Sequence, residues 1–239
     1  MPKNVDKMSL NYSPNFNEKK RASYKVKYII FHYTGMKSEI AALRRLTNVK
    51  SKVSCHYFIK SNGQIVKIVP DLYIAWHAGI SSWKKDNLLN SKSIGIEISN
   101  PGHDNGYRNF NKKQINSVIK LSKLLKKKYK IKKENILGHS DIAPLRKKDP
   151  GEKFPWKLLY KNKICLWHKI SKKKCRRFRG IKLQDKNTFD SLLFKFGYKG
   201  TKNLSDKNKI IKSFQRRYRP ELITGEADKE CYAILKSLI

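Results

Sequence analysis

Three short runs far apart in the chain constrain its fold most: FHYT at 31–34, GHSDIAP at 138–144 and KKDPG at 147–151. Together His32, His139 and Asp149 offer two imidazoles and one carboxylate. That is the donor set with which a catalytic Zn²⁺ keeps a fourth position open for water. Such a site needs ligands from separate elements, two at strand ends and one in a loop, so that the open position is rigidly aimed. A single histidine is more often a surface or satisfied core residue; here the ordered contexts single these two out from the six in the chain.

Periodicity supplies the elements. Tyr24–Tyr33 (YKVKYIIFHY) alternates and ends in β-branched and aromatic residues, a strand that terminates at His32. Ser93–Ser99 (SIGIEIS) alternates strictly, with isoleucines on one face and Gly95, Glu97 and Ser99 on the other. Glu97 therefore faces away from the apolar side. It is either an ordinary solvent-facing glutamate or the proton shuttle that a hydrolytic metal site requires. Segments 55–59 and 65–69 flank Ser61-Asn62-Gly63, a hairpin signal. Ser38 is placed to cap a helix over Ser38–Leu46, and Lys112–Tyr129 carries an apolar stripe of Ile115, Val118, Ile119, Ser122 and Leu125. Asn135–Gly138 reads as a short strand delivering His139, and Pro155 as the opening of a helical segment over Trp156–Tyr160. Helical patterns return at Thr188–Phe196, Asp206–Tyr218 and Asp228–Leu238. The expected organisation is an extended arm over 1–22, a catalytic domain over 23–162, a loosely packed basic linker over 163–186 and a helical domain over 187–239.

Composition narrows the partners. A 39% hydrophobic and 11% aromatic content suffices for a packed core and argues against general disorder. No apolar run approaches the ~20 residues of a membrane span, and the first twenty residues lack the apolar segment of a signal peptide. The charge of +37 favours polyanionic partners such as nucleic acid, an anionic membrane or a bacterial wall. An AT-rich genome writes the same excess of lysine. The basic residues are spread along the chain rather than gathered in one arm, so no nucleic-acid partner is expected. Cys55, Cys165, Cys175 and Cys231 show no C-x-x-C spacing; free thiols are expected, with a Cys165–Cys175 pair left open.

Around the triad, Lys147 stands two positions before Asp149 and can approach a developing oxyanion. Tyr57 in CHYF is a candidate hydroxyl for the substrate or else a core residue. His77 in AWHAG is a candidate substrate contact or else a turn residue. His56, His103 and His168 have no supporting context.

In order, FHYT, CHYFI with NGQIVKIVPD, WHAG, SIGIEI, GHSDIAP and KKDPGEKFPW resemble the zinc-dependent N-acetylmuramoyl-L-alanine amidases of type 2, over roughly residues 10–160. That family includes peptidoglycan-recycling amidases, phage-type amidase lysozymes and animal peptidoglycan recognition proteins. The resemblance implies an α/β fold, a central mixed β-sheet flanked by helices, followed by a small three-helix domain. It implies Zn²⁺ on His32, His139 and Asp149, Glu97 as the catalytic glutamate and Lys147 as the transition-state lysine. Tyr57 falls where some members use a tyrosine. An aspartate as third ligand, where phage and animal members have cysteine, implies the bacterial recycling or envelope branch. The tail, LLFKFGY followed by IIKSFQRRYRPELITGEAD, resembles a three-helix peptidoglycan-binding domain, with Phe214, Gln215 and Tyr218 at helical spacing and Gly225 and Asp228 at its turn. The implied reaction is hydrolysis of the amide between N-acetylmuramic acid and L-alanine in peptidoglycan or muropeptides, in the periplasm or outside the cell, with the cytoplasm as alternative. A non-catalytic peptidoglycan-recognition protein is a second reading, which loss of a metal ligand would signal. A basic nucleic-acid binder is a third.

Overall fold

The computed structural model describes residues 8–239; of the arm expected over 1–22, positions 1–7 lie outside the described residues. The strands are β1 (Ser9–Leu10), β2 (Phe16–Asn17), β3 (Tyr28–Tyr33), β4 (Tyr57–Ile59), β5 (Ile65–Lys67), β6 (Ile74–Ala75), β7 (Ser82–Trp83), β8 (Asp86–Asn87), β9 (Ser93–Ile98) and β10 (Ile136–Gly138). The helices are α1 (Glu39–Thr47), α2 (Lys112–Tyr129), α3 (His139–Ile142), α4 (Trp156–Lys161), α5 (Lys172–Phe178), α6 (Lys186–Phe196), α7 (Leu204–Tyr218) and α8 (Lys229–Lys236). Six strands make one mixed sheet in the order β1-β5-β4-β9-β3-β10. From β4 to β10 neighbouring strands run parallel, while β5 is antiparallel to β4.

Both faces of this sheet are covered, which is why β3 reads as a nearly continuous apolar run. On one face Ile29, Phe31, Ile94, Ile96 and Ile98 pack with Val118, Leu121 and Leu125 of α2. That helix starts where Asn111 and Gln114 form a reciprocal capping box. On the other face Tyr28, Ile30 and Leu137 lie beneath Phe189, Phe214 and Ile234 of the last three helices. The same face, farther across the sheet, presents Phe58 and Val66 to Ala42 and Leu46 of α1, which Ser38 caps through the Ala41 N–H.

Two expectations change. The N-terminal segment adds strands: β1 pairs with β5 and β2 with β6, while the Asn15 amide donates to the carbonyls of Asn48 and Val53 at 2.8 and 2.9 Å. Strands of two residues are too short to leave a periodic signal. The basic stretch 163–186 is not loose either. Ile164 and Cys165 are buried in the α2-side core, α5 forms within it, and Arg179 makes two bonds to Glu230 at 2.7 and 2.8 Å. Its single apolar residues are diluted by solvent-facing lysines, so no period emerges. All four cysteines are buried free thiols.

The last three helices share one apolar core with the sheet, so the change of sequence pattern near 186 is not a break in packing. Polar bonds reinforce the contact. Arg217 forms a buried ion pair with Asp141, donates to the Ile136 carbonyl at 2.9 Å and stacks 4.2 Å from the Trp156 ring centroid. Tyr198 donates to the other Asp141 oxygen at 2.9 Å, and Ser213 to the Ser140 carbonyl at 2.6 Å.

Candidate metal centre and cavity

The parallel strands β10, β3 and β9 deliver their ends to one edge of the sheet, where ligands of open α/β sheets bind. His32 sits near the end of β3 with Glu97 directly opposite on β9, both on the face away from α2. His139 follows β10 immediately. The loop carrying Asp149 is fastened beside it, the Ser140 N–H donating to the Asp149 carbonyl at 2.8 Å. Gly138 makes that approach possible, since a Cβ there would lie 2.7 Å from Pro150 Cδ.

The three side chains converge. His32 Nδ1 is 3.0 Å from His139 Nδ1 and 3.0 Å from Asp149 Oδ2, and His139 Nδ1 is 3.1 Å from the same oxygen. All three residues are buried and form a group able to hold a metal ion. His139 Nε2 faces the Ala78 carbonyl at 3.2 Å. A carbonyl only accepts, so that nitrogen carries the proton and Nδ1 presents a lone pair. Burial and the neighbouring His139 push His32 down to about 4, which keeps it neutral. Neutral imidazoles and an ionised carboxylate are the protonation states in which these residues ligate.

This cluster lies in a cavity of about 540 Å³ that Glu97, Lys147, Trp76, Arg45 and Arg146 also line. Glu97 Oε2 is buried without a partner among the described residues. Burial, and then the charge of Asp149, raise the Glu97 pKa well above its ordinary value, with Lys147 opposing. A carboxyl so perturbed beside a candidate metal site is a candidate proton carrier.

The two expected substrate contacts part ways. Tyr57 is absent from the cavity: its neighbours His56 and Phe58 face the site side, so a period of two turns Tyr57 into the α2-side core. Its hydroxyl donates to Asp71 at 2.5 Å. His77 does border the cavity, but its ring nitrogens lie 3.1 Å from His32 Nε2 and 3.2 Å from Ser93 Oγ. His56 has a context after all, accepting the Gly95 N–H at 3.0 Å and packing against His77 with centroids 5.6 Å apart. The alternation of CHYF puts His56 and Tyr57 on opposite faces, a signal available in the sequence. Nothing local announced Arg146, which donates to the carbonyls of Ala78 and Ile80 at 2.6 and 2.8 Å.

Known proteins resemble this chain in sequence and in fold. The sequence model of the family described as N-acetylmuramoyl-L-alanine amidase matches residues 22–152. N-acetylmuramoyl-L-alanine amidase AmiD of Escherichia coli is 33% identical over 95% of this chain and 88% of its own. The 1,6-anhydro-N-acetylmuramyl-L-alanine amidase AmpD of Haemophilus influenzae is 39% identical over 44% of this chain and 55% of its own. Among solved structures, Escherichia coli AmiD in complex with anhydro-N-acetylmuramic acid-L-Ala-D-γ-Glu-L-Lys superposes with a TM-score of 0.80 at 34% identity, covering 93% of this chain and 91% of that one. AmpDh3 of Pseudomonas aeruginosa in complex with anhydromuramic pentapeptide gives 0.81 at 30% identity, covering 93% of each chain. With a family match over more than half the sequence and a relative aligned over nearly all of it, this chain belongs to the N-acetylmuramoyl-L-alanine amidase family.

Proposed function

We propose that the chain hydrolyses the amide between the lactyl group of N-acetylmuramic acid and L-alanine, in peptidoglycan or its muropeptide fragments, with Zn²⁺ held by His32, His139 and Asp149. The observation that carries this reading is the convergence of two imidazole nitrogens and a carboxylate oxygen within 3.1 Å of one another, in a cavity shared with Glu97. Two nitrogens and one oxygen suit zinc better than the all-oxygen shells of calcium or magnesium. The muropeptides in the complexes of the two relatives support the substrate class.

Bound zinc supplies a Lewis acid for the scissile carbonyl and a water whose pKa is lowered towards ~7. Glu97 takes the proton of the attacking water on its unpartnered Oε2 and later gives it to the departing alanine nitrogen. Lys147 brings a cation to the same cavity, where it offsets charge growing on the carbonyl oxygen. Arg45 and Arg146 add positive charge to the cavity lining, and the net charge of +37 favours approach to a wall rich in carboxylates. The envelope is the compartment we propose, and residues 187–239 are proposed to hold wall glycan, on their resemblance to peptidoglycan-binding units. No helix among the described residues is long and apolar enough to cross a membrane.

The decisive experiment incubates the purified chain with sacculi and, separately, with anhydro-muropeptides, and detects released peptides by mass. Release of peptides beginning at L-alanine, lost on chelation and restored by zinc, is the expected result. Undiminished activity in a metal-free preparation would sink the mechanism. Pelleting the intact chain with sacculi, with and without Phe194→Ser and Leu204→Ser at these two exposed positions, tests the glycan-holding role; equal retention of both forms would refute it.

A further inference from the structure

The loop at 76–79, the WHAG run, touches both imidazoles of the metal cluster. From this we infer that it is a tautomer clamp: His77 is a positioning residue that fixes which nitrogen of His32 carries the proton, while the Ala78 carbonyl does the same for His139. The inference rests on the zinc-centre reading above.

The direction of each proton follows from backbone carbonyls, which can only accept. The Leu89 carbonyl can only accept, and Ser93 Oγ lies 2.6 Å from it, so the single Ser93 hydroxyl proton points there. Towards His77, Ser93 Oγ can then offer only a lone pair, so His77 Nε2 donates to it across 3.2 Å. A neutral His77 with its proton on Nε2 has a bare Nδ1, which accepts from His32 Nε2 at 3.1 Å. His32 is thereby left with a lone pair on Nδ1, the atom that faces His139 and Asp149. One residue along, the Ala78 carbonyl binds the Nε2 proton of His139 and frees that Nδ1 too. Two consecutive residues thus set both ligands to the state a metal requires.

Packing shows that the loop is built for this. Asn90 Oδ1 accepts the N–H groups of both His77 and Ala78, at 3.1 and 2.7 Å, which fixes the spacing between the two clamping atoms. The His77 ring lies across β9 at Gly95, where a Cβ would meet its Cγ at 2.4 Å. Glycine at this position of SIGIEI is what lets the ring reach both His32 and Ser93.

Two measurements test the clamp. In the metal-free protein, ¹⁵N shifts of the His32 and His139 rings should report a protonated Nε2 and a bare Nδ1 in each, and His77→Leu should abolish that preference at His32 alone. In zinc titrations against a chromophoric chelator, His77→Leu should weaken binding by ~10–100-fold, the usual cost of losing an outer partner of a ligating histidine. His77→Asn, whose amide oxygen reaches the place of Nδ1, should recover most of the loss. Ser93→Ala, a small change that tests the relay even if His77→Leu misfolds, should weaken zinc by a lesser factor. Zinc affinities equal to wild type in the His77 and Ser93 variants would overturn the clamp while leaving the zinc centre intact, and so would His77→Asn binding no better than His77→Leu. A wild-type protein with the expected tautomers that binds no zinc would overturn the metal reading, and with it the clamp's purpose.

Discussion

Two buried aspartates on opposite sides of the sheet look alike in burial, and they differ in what surrounds them. Every polar neighbour of Asp71 brings a proton. Tyr57, Tyr129 and Lys128 donate to it at 2.5, 2.7 and 2.7 Å, and Lys67 stands 3.5 Å away. Its acceptor sites are filled, and the cluster is complete without a further ion. Asp149 has two imidazole nitrogens for neighbours, and the protons of those rings are committed outward, to Ala78 and to His77. With the tautomers inferred above, lone pairs face lone pairs there, as the proposed bound cation requires. Proton accounting therefore separates a structural carboxylate from a proposed metal ligand where burial alone does not.

The sharpest test of that contrast replaces one carboxylate at a time. Asp149→Ala, like His32→Ala, should abolish both zinc content and turnover while the chain stays folded, as checked by metal analysis and circular dichroism. Glu97→Gln should keep the zinc and lower kcat by ~10²–10⁴, the range of a lost general base; retained turnover would remove Glu97 from the mechanism. Arg217→Met leaves the Asp141 charge buried without its cation and should cost about 3–5 kcal/mol in denaturant unfolding.

Asp71 should behave as a stability element only. Burial tends to raise its pKa, but Lys128, Tyr57 and Tyr129 hold it well below the carboxylate range. A depressed folded pKa means that its contribution is full above the unfolded value near ~3.9 and fades as pH falls through the folded one. Asp71→Asn should therefore flatten the acid side of the stability curve and cost about 1–3 kcal/mol at neutral pH, with kcat unchanged. The smallest effect belongs to Tyr57→Phe, about 1 kcal/mol of stability and no change in kcat. A large loss of turnover there would return Tyr57 to the cavity.

Much of this was legible beforehand because strands and helices write their periods in the sequence. The alternation of SIGIEIS put Glu97 opposite the isoleucines, and the helix over Lys112–Tyr129 stands at those very bounds. Of the two readings open for Tyr57, the core one holds, because the same period of two turns it away from the face of His56 and Phe58. Ser93, Asn90 and Arg146 were invisible for another reason. Their roles are hydrogen bonds to backbone groups or rings outside any local pattern, and nothing in the sequence marks a serine that donates to one group while accepting from another. The short edge strands and the packing of 163–186 escaped because each depends on a partner elsewhere rather than on its own residues.

The Asp141 carboxylate also says something about how this enzyme can be rebuilt. One of its oxygens holds the Gly138 N–H at 2.7 Å, in the turn that launches His139, while Tyr198 and Arg217 reach it from beyond residue 186. The C-terminal helices are therefore not interchangeable cargo. Fusing the first 162 residues to a foreign wall anchor would leave an unbalanced charge one turn from a ligand and an apolar wall open to water. A working chimera has to bring its own cation and its own apolar cover, so exchange of tails among such enzymes should proceed through interfaces, not through linkers.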